Sequence, residues 1–104
     1  MRHVIDELFT NIVDRKSADP SVSYTAKLLD GGTNVIAQKV GEEAVETIIE
    51  AVSGSQDSLI HESADLLYHL MVLWADADIN LQRIWDELDR RSGRSGIEEK
   101  AGRP

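Results

Sequence analysis

Two long stretches of helical periodicity, about Asn34 to Val52 and Asp57 to Ala77, are separated by little more than Ser53-Gly54-Ser55. Two helices joined by so short a connection have almost no choice but to lie antiparallel as neighbours. The flanking sequence agrees with that frame. From His3 to Lys16, Val4, Ile5, Leu8, Phe9, Ile12 and Val13 make one apolar helical stripe. Asp19-Pro20 marks a loop between Ser17 and Val22. Ser23 is placed to cap a short helix through Leu28 or Leu29, which Gly31-Gly32 ends. Asp57 is placed to cap the second long helix, and Asn80 a last one through Leu81, Ile84, Trp85 and Leu88 to about Arg91. No stretch alternates with the period of a strand. The chain reads as all-α, an antiparallel helical bundle of four to five helices.

With 104 residues there is room for one domain and one modest core, a size that gains from self-association. Residues 1–91 are expected to form that domain. After Ser92 the chain carries Gly93, Gly96 and Gly102, ends in Pro104, and has Ile97 as its single large apolar residue, so 92–104 is expected to be a flexible tail. The formal net charge of -8 is the wrong sign for a nucleic-acid binder. Cysteine is absent, which excludes disulfides and thiolate metal sites. No apolar run approaches the roughly 18 residues that span a bilayer, and the N-terminus has no signal-peptide pattern. The expectation is a cytoplasmic protein without membrane or nucleic-acid partners.

The chemistry is concentrated in two acidic couplets, Glu42-Glu43-x-x-Glu46 and Glu62-x-x-Asp65. At ~100° per residue, Lys39, Glu46 and Glu50 fall within about 60° of Glu43, with Val45, Ile48 and Val52 on the far side. Glu62 gathers Asp65, His69 and Asp76 on its face, beside a broad apolar arc of Leu59, Leu66, Leu67, Leu70 and Trp74. If the two strips meet, Glu43, Glu46, Glu62 and Asp65 converge, and carboxylates that close repel unless a cation joins them. Hard oxygen donors of this kind suit Mg2+, which also bridges phosphates. A solvated acidic face fits the same spacing. Against it, neither couplet has a basic partner four residues on, where a surface built for solubility interleaves signs. A di-iron carboxylate bundle needs Glu-x-x-His couplets, and neither His61 nor His69 has a glutamate three residues before it.

Three segments carry a resemblance: Ser23-Tyr24-Thr25-Ala26-Lys27-Leu28-Leu29, Lys39-Val40-Gly41-Glu42-Glu43-Ala44, and Glu62-Ser63-Ala64-Asp65-Leu66-Leu67-Tyr68-His69-Leu70. Together they resemble the phosphoribosyl-ATP pyrophosphohydrolases of histidine biosynthesis, over about residues 3 to 91. The acidic pattern alone is shared with the wider MazG-like all-α nucleoside-triphosphate pyrophosphohydrolases. That leaves, as the alternative, a house-cleaning pyrophosphatase acting on other nucleoside triphosphates. The resemblance implies the MazG-like fold, a homodimer or higher homo-oligomer, and Mg2+-dependent cleavage of phosphoribosyl-ATP to phosphoribosyl-AMP and pyrophosphate. It implies that Glu43, Glu46, Glu62 and Asp65 hold the metal. Glu42, adjoining the ligands without being needed as one, is the candidate base, with a solvated flank as its other reading. Lys39 is the candidate phosphate contact, with an i,i+4 pair to Glu43 as the alternative. Lys27 and Tyr24 are placed to meet phosphate or base. His69 either contacts substrate or orients a ligand, or is a structural histidine. Arg90 and Arg91 fit phosphate contacts across a dimer, or complement the helix dipole.

Overall fold

The computed structural model describes residues 3–93 and 95–103. Met1, Arg2, Arg94 and Pro104, which the expected domain and tail include, lie outside the described residues. Among the described residues there are six α-helices: α1 (Val4–Asp14), α2 (Tyr24–Gly31), α3 (Thr33–Ser53), α4 (Gln56–Asp76), α5 (Leu81–Arg91) and α6 (Gly96–Ala101). A 3-10 turn, Arg15–Ser17, follows α1 directly. No strand occurs among them, and no helix is long and apolar enough to cross a membrane.

Most helix starts lie where cap chemistry places them. Ser23 Oγ accepts from the Ala26 amide at 3.1 Å, and Asn80 Oδ1 from the Gln82 amide at 2.8 Å. Each satisfies one of the orphan donors of a first helical turn. The start of α4 corrects the expectation: its cap is Ser55, whose Oγ accepts from the Ser58 amide at 3.1 Å. Asp57 lies inside the first turn instead, where its charge complements the positive end of the helix dipole. Gly32, at φ 88, ends α2 and starts α3 in one residue, a conformation that a Cβ disfavours.

The most extensive helix pairing is α3 on α4, across the Gly54-Ser55 connection. The core lies toward the N-terminal end of α3. Ile12, Leu28, Ile36, Met71, Val72 and Ala75 form one buried cluster, with Phe9, Leu67, Tyr68 and Trp74 packed against it. Ile36 is the buried residue of α3. The apolar face of the other half of that helix stays open: Val45 is 55 % exposed, Ile48 62 % and Val52 83 %. Within one chain this face does not enter the core, because α4 covers the acidic side of α3.

The stretch after Ser92, expected from its glycines to be flexible, contains α6, capped by Ser95 Oγ on the Glu98 amide at 3.0 Å. Its Glu99 is buried, held by Arg90 Nη2 at 2.7 Å and with Arg91 and Arg103 Nε each at 3.7 Å. Arg90 also grips Glu87, and the two carboxylates raise the pKa of its guanidinium. In this single chain, then, Arg90 and Arg91 are occupied by the chain's own carboxylates.

Candidate active site

The packing of α3 against α4 turns two acidic strips into one cluster. Carboxylate oxygens of Glu43, Glu46 and Glu62 lie within 4.8 Å of one another. A second set, His61, Glu62 and Asp65, meets the same limit, so Glu62 belongs to both. Glu43 and Glu46 come from successive turns of α3, and Glu62 and Asp65 from successive turns of α4, as a spacing of three on a helix requires. One oxygen each of Glu43 and Glu62 is buried with no hydrogen-bond partner among the described residues. An unpaired carboxylate oxygen out of contact with water is a costly arrangement unless something cationic meets it.

The electrostatics agree. The Glu62 carboxyl is pushed above its ordinary range, first by burial, then by hydrogen bonding with the Glu46 carboxyl, then by repulsion from Glu46, Asp65 and Glu43. The neighbouring carboxylates therefore work against ionisation of Glu62. The nearest basic group along α3, Lys39, is turned to Glu42 at 3.4 Å and not to Glu43. That pair raises the Lys39 pKa, with Glu42 as the largest cause, and Tyr24 and Glu43 adding to it. Glu42 in turn sits below its ordinary range, through hydrogen bonds from Gln38 at 3.2 Å and from Lys39. Carboxylate oxygens gathered in this way match the ligand preference of a hard divalent cation such as Mg2+. His61, with Nε2 3.4 Å from Asp65 Oδ2, borders the set.

Of the other expected site residues, Tyr24, Lys27 and Lys39 line one open cavity of about 470 Å³ between α2 and α3, together with Leu28 and Val35. His69, on α4, is buried. Its ring stands edge-on to Tyr68 at 5.0 Å and to Tyr24 at 6.3 Å. Nδ1 lies 2.7 Å from the Asp65 carbonyl, which only accepts, so Nδ1 carries the proton. Nε2 is buried and has no partner among the described residues. Behind it the Tyr68 and Thr25 hydroxyls bond to each other and tie α4 to α2. Asp76, on the same predicted strip as Glu62, does not join the cluster: it accepts from Thr33 Oγ1 at 2.6 Å at the far end of α3. A cavity of about 520 Å³ beside Lys16, Asp30, Asp76 and Asp78 contains none of the expected site residues.

Two contributors lie outside the sequence expectation. His61 is four residues before Asp65, a spacing that was readable. Thr47, between the two strips, has no sequence signal because its partner lies on the other helix.

The family described as phosphoribosyl-ATP pyrophosphohydrolase matches residues 5–92. The chain is 59 % identical over 100 residues to a phosphoribosyl-ATP pyrophosphatase of Azospirillum brasilense, covering 96 % of this chain and 90 % of that one. It is 57 % identical over 99 residues to one of Paracoccus denitrificans, covering 95 % and 92 %. A third, from Paramagnetospirillum magneticum, is 55 % identical over 100 residues, covering 96 % and 92 %. The matched span takes in both acidic couplets and the α2 segment before them.

Proposed function

The chain belongs to the phosphoribosyl-ATP pyrophosphohydrolase family, and we propose that its α3–α4 carboxylate cluster is where that family's reaction is carried out. The enzyme hydrolyses phosphoribosyl-ATP to phosphoribosyl-AMP and pyrophosphate, a step of histidine biosynthesis. The observation that carries the placement is the pair of buried, unpartnered oxygens on Glu43 and Glu62, within two ligand-capable sets that share Glu62.

In this reading Glu43, Glu46, Glu62 and Asp65 hold Mg2+. When bound, the cation neutralises phosphate charge and lowers the pKa of water. Everything else is positioning, which is most of what phosphoanhydride hydrolysis asks of a protein. Lys39 turns to a phosphate as a point charge. Its present partner Glu42 is about half exposed, and a solvent-exposed pair is weak, so the exchange is easy. Lys27 and Tyr24, on the same cavity wall, meet phosphate or base, and His69 contacts substrate or orients a ligand. Glu42, released from Lys39, accepts the proton of the attacking water.

The test is release of pyrophosphate from phosphoribosyl-ATP with Mg2+, with and without chelator, alongside a panel of other nucleoside triphosphates. Activity on phosphoribosyl-ATP that vanishes with chelator and returns on adding Mg2+ is the expected result. Fast release from dUTP or dCTP and none from phosphoribosyl-ATP would move the substrate to the house-cleaning alternative.

The open apolar face of α3 supports a homodimer or higher homo-oligomer. Val45, Ile48 and Val52 follow one another at helical spacing and together form an exposed stripe that a second copy is suited to cover. Ile48→Asp is expected to lower the sedimentation mass to that of one chain; an unchanged mass would place the interface elsewhere.

A further inference from the structure

At the point where α3 and α4 press together under the acidic cluster, a single hydroxyl spans both backbones. Thr47 Oγ1 lies 2.7 Å from the Glu43 carbonyl, one turn back on its own helix. It also lies 3.2 Å from the Glu62 carbonyl on α4. A threonine that bonds back to the fourth residue before it is common, and alone would be a local matter. The second contact is different in kind. It turns a local bond into a three-centre one whose two acceptors are the main chains of the residues carrying the unpartnered carboxylate oxygens.

Thr47 is half-buried, and its hydroxyl stands only one carbon from the α3 backbone. A group that short reaches a carbonyl of α4 only while the helices stay in close register. Slippage or rotation of either helix breaks the longer contact first. The carboxylates of Glu43 and Glu62 hang from those same two residues, so a change at the carbonyls is carried to the ligand oxygens. A hard cation such as Mg2+ demands near-ideal placement of its oxygens, and groups that fix ligands without touching the metal change its affinity by about 10–100-fold.

We propose that Thr47 is a positioning residue, its hydroxyl setting the register between Glu43 and Glu62 that the divalent cation requires. This rests on the metal reading of the carboxylate cluster. Thr47 makes no contact with substrate in this assignment and takes part in no proton transfer.

Calorimetric titration of the intact protein with Mg2+, without substrate, separates the possibilities. Thr47→Val keeps the branched shape and removes the hydroxyl. It is expected to weaken Mg2+ binding about tenfold, with a melting temperature in chelator close to that of the parent. Saturating Mg2+ should then restore kcat and leave the KM for phosphoribosyl-ATP unchanged. Thr47→Ser keeps the hydroxyl and should retain the parent's affinity, while Thr47→Ala should match the valine variant. The serine and alanine pair carries the test if valine disturbs folding. Parent-like affinity in the valine or alanine variant overturns the proposal, as does equal weakening in serine and alanine. A parent that binds no Mg2+ overturns the metal reading itself, and the clamp with it.

Discussion

Glu62→Gln is expected to lower kcat on the order of 10³-fold, the scale seen when one preorganised electrostatic partner is taken from a transition state, and yet to make the metal-free protein more stable. Both effects have one origin. Glu62 is shared by the two sets proposed to hold the metal, so its loss is expected to weaken both at once. It is also the carboxyl whose pKa is raised, with burial the largest cause and the Glu46 carboxyl next. The folded protein therefore holds that proton more tightly than the unfolded chain does. The stability linked to Glu62 is fully present below its unfolded pKa, near 4.5, and is lost as pH rises through the raised folded value. At neutral pH the ionised group opposes folding, and an amide of the same shape removes that opposition. Glu42, Glu87 and Asp78 have lowered pKa values and give the opposite slope, so the measurement is a difference between parent and variant. In chelator, the melting temperature of the variant should exceed that of the parent at pH 7, and the gap should close on going to acid. With Mg2+ the order should reverse, since a ligand that binds only the folded parent stabilises only the parent. Near-normal turnover, or a variant less stable than the parent in chelator, would remove Glu62 from the centre of the site.

The second large effect is expected on α3, toward its N-terminal end. Ile36 is fully buried among Ile12, Leu28, Met71 and Val72, and it is where α3 enters the core. Ile36→Ala removes three carbons from a packed position and leaves a cavity. Such changes cost about 2–5 kcal/mol, out of a total stability on the order of 5–15 kcal/mol. The urea midpoint should fall with little change in slope, and the melting temperature should drop by more than about 10 °C. The molecules that remain folded should bind Mg2+ as the parent does, because the carboxylates lie turns away along the helix. A midpoint within error of the parent's would mean that the single-chain core is not what anchors α3.

The helical hairpin was legible because a long 3.6-residue period interrupted by Ser53-Gly54-Ser55 has few alternatives. The convergence of Glu43, Glu46 and Glu62 was legible for the same reason, since a spacing of three fixes a common face. What escaped depended on neighbours that periodicity does not name. Ser55 and Asp57 are both good caps two residues apart, and the chain between the helices decides between them. The stripe of Val45, Ile48 and Val52 announces an apolar face but not that α4 would take the other side. Ser95-Gly96-Ile97-Glu98 is a capping-box pattern that was present to be read, though the surrounding glycines argue for a tail. The buried Nε2 of His69 and the double reach of Thr47 are properties of distances between helices, so neither was visible in one.

The brevity of the Gly54-Ser55 connection also bears on how fast the site can come into being. Glu46 and Glu62 are sixteen positions apart along the chain, and the entropy of closing a loop grows only with the logarithm of its length. Helical contacts between near neighbours in sequence are those that form in microseconds to milliseconds. The carboxylates are thus brought face to face by a local event, before any distant part of the chain has to find its place. A cation held by the cluster would offset their mutual repulsion, so dissolved Mg2+ is expected to speed assembly as well as to stabilise its result.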